Sequence, residues 1–100
     1  MVHVGLLARF VAKPGKEEEV GAFLASALPL AQAESKTVVW FAFRLSKNEF
    51  GIFDAFGDES GRQAHLSGPI AKALMSKADE LLAEPPSIAR ADLLASKLSG

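Results

Sequence analysis

Residues 37–45 read TVVWFAFRL, and residues 50–56 read FGIFDAF. Both segments are rich in β-branched and aromatic residues, and Ser46 to Glu49 between them suit a hairpin turn. From residue 38 onward, apolar side chains fill both alternate sets of positions, and Arg44 and Asp54 are the charged interruptions. A strand with one face in water alternates apolar and polar residues, so these near-continuous apolar strands predict a sheet that is covered on both faces.

The segment before this hairpin predicts a strand and a helix. Val2 to Ala12 is the predicted first strand, and Lys13-Pro14-Gly15 ends it. In the helix that follows, apolar residues recur at the spacing of one helical face, namely Val20, Phe23, Leu24, Ala27, Leu28 and Ala31. Because proline lacks an N–H and clashes one turn back, Pro29 is expected to kink this helix or loosen its last turn.

The segment after the hairpin predicts a helical region in two pieces and a last strand. Asp58 is the expected N-cap of a short first helix, and Pro69 suits the first position of a second helix. The second helix is expected to end at Pro85-Pro86 and to bury Ile70, Leu74, Ala78 and Leu81, and Ser87 to Leu98 is predicted as a strand. The resulting order, β-α-β-β-α-β, is that of the α+β ferredoxin-like fold, a four-stranded antiparallel sheet with helices on one face. Residues 1–100 are interpreted as one domain of this kind.

The second face of the predicted sheet needs a cover from outside the chain. The helices of a chain this small can cover only one face, and the other would remain a large exposed apolar patch, which soluble monomers rarely tolerate. A second copy of the same sheet is the simplest cover. The sequence therefore predicts a homodimer that forms through the sheet faces.

Composition and charge exclude several classes of function. The chain has 49% hydrophobic residues, a net charge of −1 and no cysteine. Without a basic cluster we expect no nucleic-acid partner and no binding to an anionic membrane. The first residues lack a cationic leader followed by an apolar core, so no signal peptide or membrane span is predicted, and the expected location is cytoplasmic. The sequence lacks nucleotide-binding glycine motifs and clustered metal ligands, so we predict no cofactor and no metal.

Asp54 and His65 are the candidate catalytic residues. A lone carboxylate on a buried strand is costly unless it is paired or protonated, which draws attention to Asp54. His65 lies on the short helix that follows the strand, and contact would give a carboxylate–imidazole pair that can take or give a proton near neutral pH. In the alternative interpretation, Asp54 pairs with an arginine such as Arg44 while His65 caps a helix or binds a loop. His3 is interpreted as a surface residue of the first strand.

Three short segments resemble the antibiotic biosynthesis monooxygenase family. They are Ala8 to Lys16 (ARFVAKPGK), Phe53 to Phe56 (FDAF) and Ala64 to Leu66 (AHL), and the resemblance spans nearly the whole chain. It implies a dimeric α+β barrel with the ferredoxin-like plan. The family includes cofactor-free monooxygenases that oxidise anthrone-like or quinol-like aromatics with dioxygen, haem-degrading enzymes, and many members without a known activity.

The resemblance to the haem-degrading branch is incomplete. That branch uses an asparagine late in the first strand, a tryptophan at the end of the third strand and a histidine on the last helix. These positions hold Ala8, Phe56 and Met75 in this chain, so haem degradation is disfavoured. The chain also has no tyrosine that could serve as a phenolic donor.

Two hypotheses about function follow. In the first, the protein is a cofactor-independent monooxygenase acting on a small electron-rich aromatic such as a hydroquinone or an anthrone. His65 would be the base, Asp54 would orient it, and Trp40, Phe41 and Phe56 would form the aromatic walls of the substrate pocket. In the second, the protein is a non-catalytic dimeric barrel that binds an apolar small molecule. Trp40 could equally be a core residue without a role in a pocket.

Overall fold

The computed structural model describes residues 1–98 and contains four strands and four helices within them. In chain order these are β1 (Val4–Val11), α1 (Glu17–Ser26), α2 (Leu28–Ala33), β2 (Thr37–Arg44), β3 (Glu49–Phe56), α3 (Glu59–Leu66), α4 (Pro69–Leu81) and β4 (Ser87–Asp92). The strands form one sheet in the order β2-β3-β1-β4, and all neighbours are antiparallel. This arrangement confirms the predicted α+β ferredoxin-like fold.

The predicted local signals at the helix starts are confirmed. Asp58 caps α3, since its side chain accepts a hydrogen bond of 3.1 Å from the backbone N–H of Gly61. Pro69 is the first residue of α4, where its missing N–H costs no intrahelical bond. The break expected near Pro29 is also present, because α1 ends at Ser26 and Pro29 lies in the first turn of a separate helix, α2.

Two predicted boundaries are wrong at their C-terminal ends. The helix α4 ends at Leu81, well before Pro85-Pro86, because Leu82 is extended and forms an isolated β-bridge with Ala12. The last strand ends at Asp92 rather than Leu98, since its partner strand β1 begins at Val4, the residue that pairs with Asp92. Beyond that pair, the backbone N–H of Leu93 still donates a 2.9 Å hydrogen bond to the backbone oxygen of His3, outside both strands.

The sheet buries one face beneath the helices. Phe10, Phe50 and Ile52 form the centre of the core, and the helices contribute Val20, Leu24, Leu74 and Leu81 to the same cluster. On this face, Asp54 of β3 lies between Leu6 of β1 and Trp40 of β2. The apolar core thus surrounds the carboxylate of Asp54.

The opposite face of the sheet, which we call the outer face, is apolar and uncovered in the single chain. The cross-strand row Phe41–Phe53–Leu7 runs over its centre, and Phe41 is 60% exposed. The ring of Phe43 lies over Gly51, where an added Cβ would come within 2.5 Å of the ring. Both faces of the hairpin are therefore apolar, as the sequence indicates. In the described part of the chain, no helix has the length and apolar character needed to cross a bilayer.

Candidate functional site

The strand β3 holds Asp54 in the interior of the protein. Asp54 is 2% exposed, and it faces the helices because side chains alternate between the two faces of a strand. A carboxylate at such a position requires a polar or charged partner. Helix α3 provides that partner.

Helix α3 is fixed over the sheet by Arg62. The guanidinium of this buried arginine donates hydrogen bonds to the backbone oxygens of Gly5 on β1 (3.2 Å) and Ala91 on β4 (3.3 Å), and it also pairs with Glu59. His65 follows one turn later on the same helix, and its Nε2 lies 2.8 Å from Asp54 Oδ2. The structure thus brings together the two predicted catalytic residues.

A third residue, Glu34, contacts the other side of the imidazole. Its Oε1 lies 2.6 Å from His65 Nδ1 and also accepts a 2.6 Å hydrogen bond from the hydroxyl of Thr37. Asp54, His65 and Glu34 form a continuous chain of contacts, which we call the acid–imidazole cluster. Asp54 therefore pairs with His65, and the alternative that it pairs with an arginine is wrong.

Glu34 is not among the site residues that the sequence predicts, because nothing in its surroundings marks it. It lies at the end of α2 in a polar stretch, Gln32 to Lys36, that resembles an ordinary surface turn. The side chain of Glu34 is nevertheless only 16% exposed. An acidic residue just before an apolar strand was the only signal available, and that signal is weak.

The cluster changes the protonation of His65. Burial alone lowers the pKa of the imidazole, but the hydrogen bonds to Asp54 and Glu34 and their negative charges outweigh it and raise the pKa of His65 to about 9. At neutral pH His65 is therefore an imidazolium that donates a proton toward each carboxylate. The imidazolium therefore lies between two carboxyl groups, one at each ring nitrogen.

Polar atoms without partners occur at both ends of the cluster. Within residues 1–98, Asp54 Oδ1 and Glu34 Oε2 are buried and lack a hydrogen-bond partner, as does Nε1 of Trp40. Such groups are rare in folded proteins because each loses its hydration without compensation. An unpartnered carboxylate oxygen is free to accept a proton or a hydrogen bond from a ligand.

Two spaces adjoin the cluster, and His65 lines both. The inner cavity has a volume of about 40 Å³ and an almost wholly apolar wall, formed by Leu6, Ala8, Phe10, Ile52, Asp54, His65, Leu66, Ile70, Ala71, Leu74 and Ile88. The outer groove is open to solvent and measures about 330 Å³, and Glu34, Lys36, Thr37, Gly61 and Gly68 are among its lining residues. The cluster therefore separates an apolar cavity from a polar groove.

The predicted aromatic walls are only partly near this site. The ring of Phe56 lies 5.4 Å from that of His65, and Trp40 is the cross-strand neighbour of Asp54. Phe41 lies on the outer face of the sheet, because the residue after Trp40 on a strand points the opposite way. Its predicted role as a wall of the Asp54–His65 pocket is therefore not compatible with the fold.

The other polar candidates lie away from the cluster. Arg44 folds back on the hairpin, donates to the backbone oxygens of Ser46 and Lys47, and covers the ring of Phe50 at 5.0 Å. His3 is exposed. As far as the structure describes the chain, no group of three or more histidines, cysteines or acidic residues could hold a metal ion. In the acid–imidazole cluster, the carboxylates approach opposite ring nitrogens and do not converge on one point.

Comparison with known proteins shows that the chain is similar to several solved structures. The chain is 55% identical to the NE2512 protein of unknown function from Nitrosomonas europaea, with a TM-score of 0.98 over 100% of this chain and 97% of that chain. A putative antibiotic biosynthesis monooxygenase from Nitrosomonas europaea is 13% identical, with a TM-score of 0.81 over 92% of this chain and 90% of that chain. Another from Bacteriodes thetaiotaomicron is 20% identical, with a TM-score of 0.78 over 98% and 95% of the two chains. No protein-family model and no curated protein matches the sequence.

Proposed function

We propose that this chain, which belongs to the same family as the NE2512 protein, is a monooxygenase that oxidises a small electron-rich aromatic with dioxygen and without a cofactor. The observation that carries the proposal is that Asp54, which lines an apolar cavity at the inner end of the acid–imidazole cluster, keeps one buried carboxylate oxygen, Oδ1, without a partner. The fold shared with putative antibiotic biosynthesis monooxygenases supports it.

In this proposal the proton acceptor is Asp54 rather than His65. At neutral pH both nitrogens of His65 carry protons, because its pKa is raised to about 9. The free lone pair that faces the substrate then belongs to Asp54 Oδ1, while His65 holds the other carboxylate oxygen in place. General-base catalysis requires such a group within hydrogen-bond reach of the proton that it removes.

The proposed reaction is balanced without an external reductant. A hydroquinone gives its hydroxyl proton to Asp54, and its anion transfers one electron to dioxygen, forming a radical and superoxide. The two combine through a new C–O bond at a ring carbon, and Asp54 returns its proton to the peroxide. Loss of the hydrogen on that carbon and cleavage of the O–O bond then release water and leave a carbonyl group. One oxygen atom enters the product, and the other leaves as water.

The size of the inner cavity limits the substrate. A cavity of about 40 Å³ holds a few water molecules or one dioxygen. A single aromatic ring needs on the order of 150 Å³, so the wall must move before a substrate enters. Ile88, which is 47% exposed, and the half-buried Leu66 are the lining residues that can move most easily into solvent. We therefore favour a one-ring hydroquinone over a three-ring anthrone.

The proposal includes association of the chain with a second copy of itself. The outer face carries Leu7, Phe41 and Phe53 in one row, and an exposed apolar sheet face of this kind favours association. A homodimer that packs two outer faces together would bury these rings. A cytoplasmic location is also part of the proposal, because a chain without cysteine suits a reducing compartment.

An alternative function is binding of an apolar small molecule without catalysis. The nearly apolar wall of the inner cavity favours it, since Asp54 and His65 are the only polar residues there. In that case the acid–imidazole cluster would only anchor α3 to the sheet. The two functions differ in whether bound aromatic molecules consume oxygen.

Oxygen uptake by the purified protein tests the proposal. We would supply hydroquinones of increasing ring size and record oxygen consumption and products by mass spectrometry under ¹⁸O₂. We expect incorporation of one labelled oxygen atom, and we expect Asp54→Asn to lower the rate by roughly 10²-fold, the usual scale for a positioned base. Glu80→Gln, which changes an exposed carboxylate on α4, is the matched control and should leave the rate unchanged.

The pH dependence of the rate distinguishes Asp54 from His65 as the proton acceptor. If His65 is not the base, the loss of a proton from its imidazolium should not raise the rate. A rise through about pH 9 would return the role of base to His65, whose pKa lies there. Binding of hydroquinones without oxygen uptake would reject the monooxygenase and support the binding function.

A further inference from the structure

We propose that the acid–imidazole cluster is a proton path between the inner cavity and the outer groove, with Glu34 as its solvent-side end. The path has two short links, one at each nitrogen of the ring: 2.8 Å from Asp54 Oδ2 to His65 Nε2, and 2.6 Å from His65 Nδ1 to Glu34 Oε1. The first distance lies within the usual N–H···O range of about 2.7–3.2 Å, and the second is slightly shorter than that range. Asp54 thus connects to the groove through hydrogen bonds alone.

The burial along this path increases steadily toward the cavity. The side chain of Glu34 is 16% exposed, that of His65 is 8% exposed and that of Asp54 is 2% exposed. In the part of the chain that the structure describes, each carboxylate keeps one buried oxygen without a partner, Oε2 of Glu34 and Oδ1 of Asp54. Glu34 is a lining residue of the groove, and Asp54 is a lining residue of the cavity. Each end therefore has a free acceptor at which a proton can arrive.

The imidazole can relay protons across the packed layer, although the proton that leaves at one end is not the proton that enters at the other. When a proton adds to Asp54 Oδ1, the imidazolium can give its Nδ1 proton to Glu34 Oε1, and Glu34 then loses that proton to water. In the opposite direction, Glu34 returns a proton from water to Nδ1, and Asp54 gives its proton back to the cavity. One proton enters for each proton that leaves, so the net charge of the cluster is the same before and after.

The charged residues around the cluster have other partners. In α3, Arg62 binds Glu59 and two backbone oxygens of the sheet, and Asp58 caps the helix. Lys36, before β2, donates to the hydroxyl of Ser60 at 3.2 Å. From the other packed strands, Arg90 of β4 lies 3.6 Å from Glu59, and Arg9 of β1 pairs with Glu49 at 3.2 Å. The contacts of His65 with Asp54 and Glu34 are therefore the ones through which its protons can move.

The path would keep the proton state of Asp54 in equilibrium with solvent before a substrate binds, and in that respect it rests on the proposed function. It nevertheless exists in the resting protein and can be measured without a substrate. Failure of the oxygen-uptake experiment therefore leaves this test valid. Failure of this test likewise leaves the oxygen-uptake experiment valid.

Exchange of the His65 ring protons with water tests the path by ¹⁵N-histidine NMR. The chain has two histidines, and the exposed His3 is an internal reference. We expect both ring protons of His65 to exchange faster than the backbone amides of β3, and Glu34→Gln to slow their exchange by roughly tenfold or more, because the amide is not a proton shuttle. Glu34→Asp keeps the carboxylate and should restore part of the rate, while Glu80→Gln should have no effect.

Two results would overturn the proposal. Exchange that is unchanged in Glu34→Gln would mean that Glu34 is only an electrostatic partner of His65. Wild-type exchange that matches the β3 amides and does not respond to added phosphate buffer would mean that the ring exchanges only when the fold opens. The second measurement needs no variant and decides the question even if Glu34→Gln does not fold.

Discussion

At the scale of single residues, the decisive feature is one imidazole between two carboxylates. Asp54 is buried on a central strand, and the charge of His65 compensates it, while Glu34 satisfies the second ring nitrogen. Removing either carboxylate would take away a hydrogen bond and a favourable charge from the imidazolium. The three residues therefore stabilise the fold as well as forming the candidate site.

This cluster predicts a pH-dependent stability. Since the pKa of His65 is raised from 6.5 to about 9, its stabilisation is fully present below pH 6.5 and is lost as the pH rises through 9. We expect the free energy of unfolding to fall by on the order of 3 kcal/mol between pH 6.5 and pH 10. Urea unfolding at constant protein concentration, repeated across this pH range, measures the change in the free energy of unfolding.

The control for this prediction is His65→Gln, which removes the titrating group. Its unfolding free energy should lose most of the slope over the same pH range, although it should also be lower at pH 6.5. Equal slopes in the wild type and the variant would show that other groups cause the dependence.

At the scale of elements, α3 is the helix that creates the site. Its N-terminus is capped by Asp58, and its middle is attached to two strands by Arg62. His65 then lies at its C-terminal end, between the sheet and α2. A helix of eight residues is marginal by itself, so these attachments determine whether His65 reaches Asp54.

The capping contact gives a prediction for α3. We expect Asp58→Ala to lower the free energy of unfolding by about 1 kcal/mol, because the first turn of the helix loses an acceptor for its N–H groups. Asp58→Asn keeps an oxygen acceptor and should change stability by only a few tenths of a kcal/mol. Denaturant unfolding of both variants checks the prediction, and an equal loss in both would assign the effect to the charge of Asp58.

At the scale of the whole molecule, the sheet has an outer face that a single chain leaves uncovered. Leu7, Phe41 and Phe53 lie in one row on this face, and Phe43 covers Gly51 beside them. The helices all pack on the opposite side, where the core and the acid–imidazole cluster lie. The two faces of β2 and β3 therefore serve different purposes, one for the site and the other for the proposed association.

Sedimentation of variants tests the role of the outer face. We expect the wild type to be a dimer at micromolar concentration and Phe41→Asp to be a folded monomer, because a charge at the centre of the interface would be buried without a partner. Met75→Asp is the matched control, since Met75 is also exposed, at 64% against 60% for Phe41, but lies on α4. A monomeric wild type, or a Phe41→Asp variant that remains dimeric, would contradict the prediction.

The sequence alone determined the order of the elements, the capping of α3 by Asp58, the start of α4 at Pro69 and the apolar character of both faces of the hairpin. These features depend on residues that are neighbours in the chain, so periodicity and local hydrogen bonds reveal them. For Asp54, the sequence predicts only that a buried carboxylate requires a partner, and it leaves open whether that partner is His65 or an arginine.

The tertiary structure alone decided which residues meet across long distances in the chain. Glu34 reaches His65 from 31 positions away, and only the tertiary fold brings the segment between α2 and β2 to the C-terminal end of α3. The register of β2 against β3 places Trp40 beside Asp54 and turns Phe41 to the outer face, and a shift of one residue would exchange them. The end of β4 likewise depends on where β1 begins. The physical reason is the same in each case, because a contact between distant segments is set by the packing of whole elements rather than by the residues next to it.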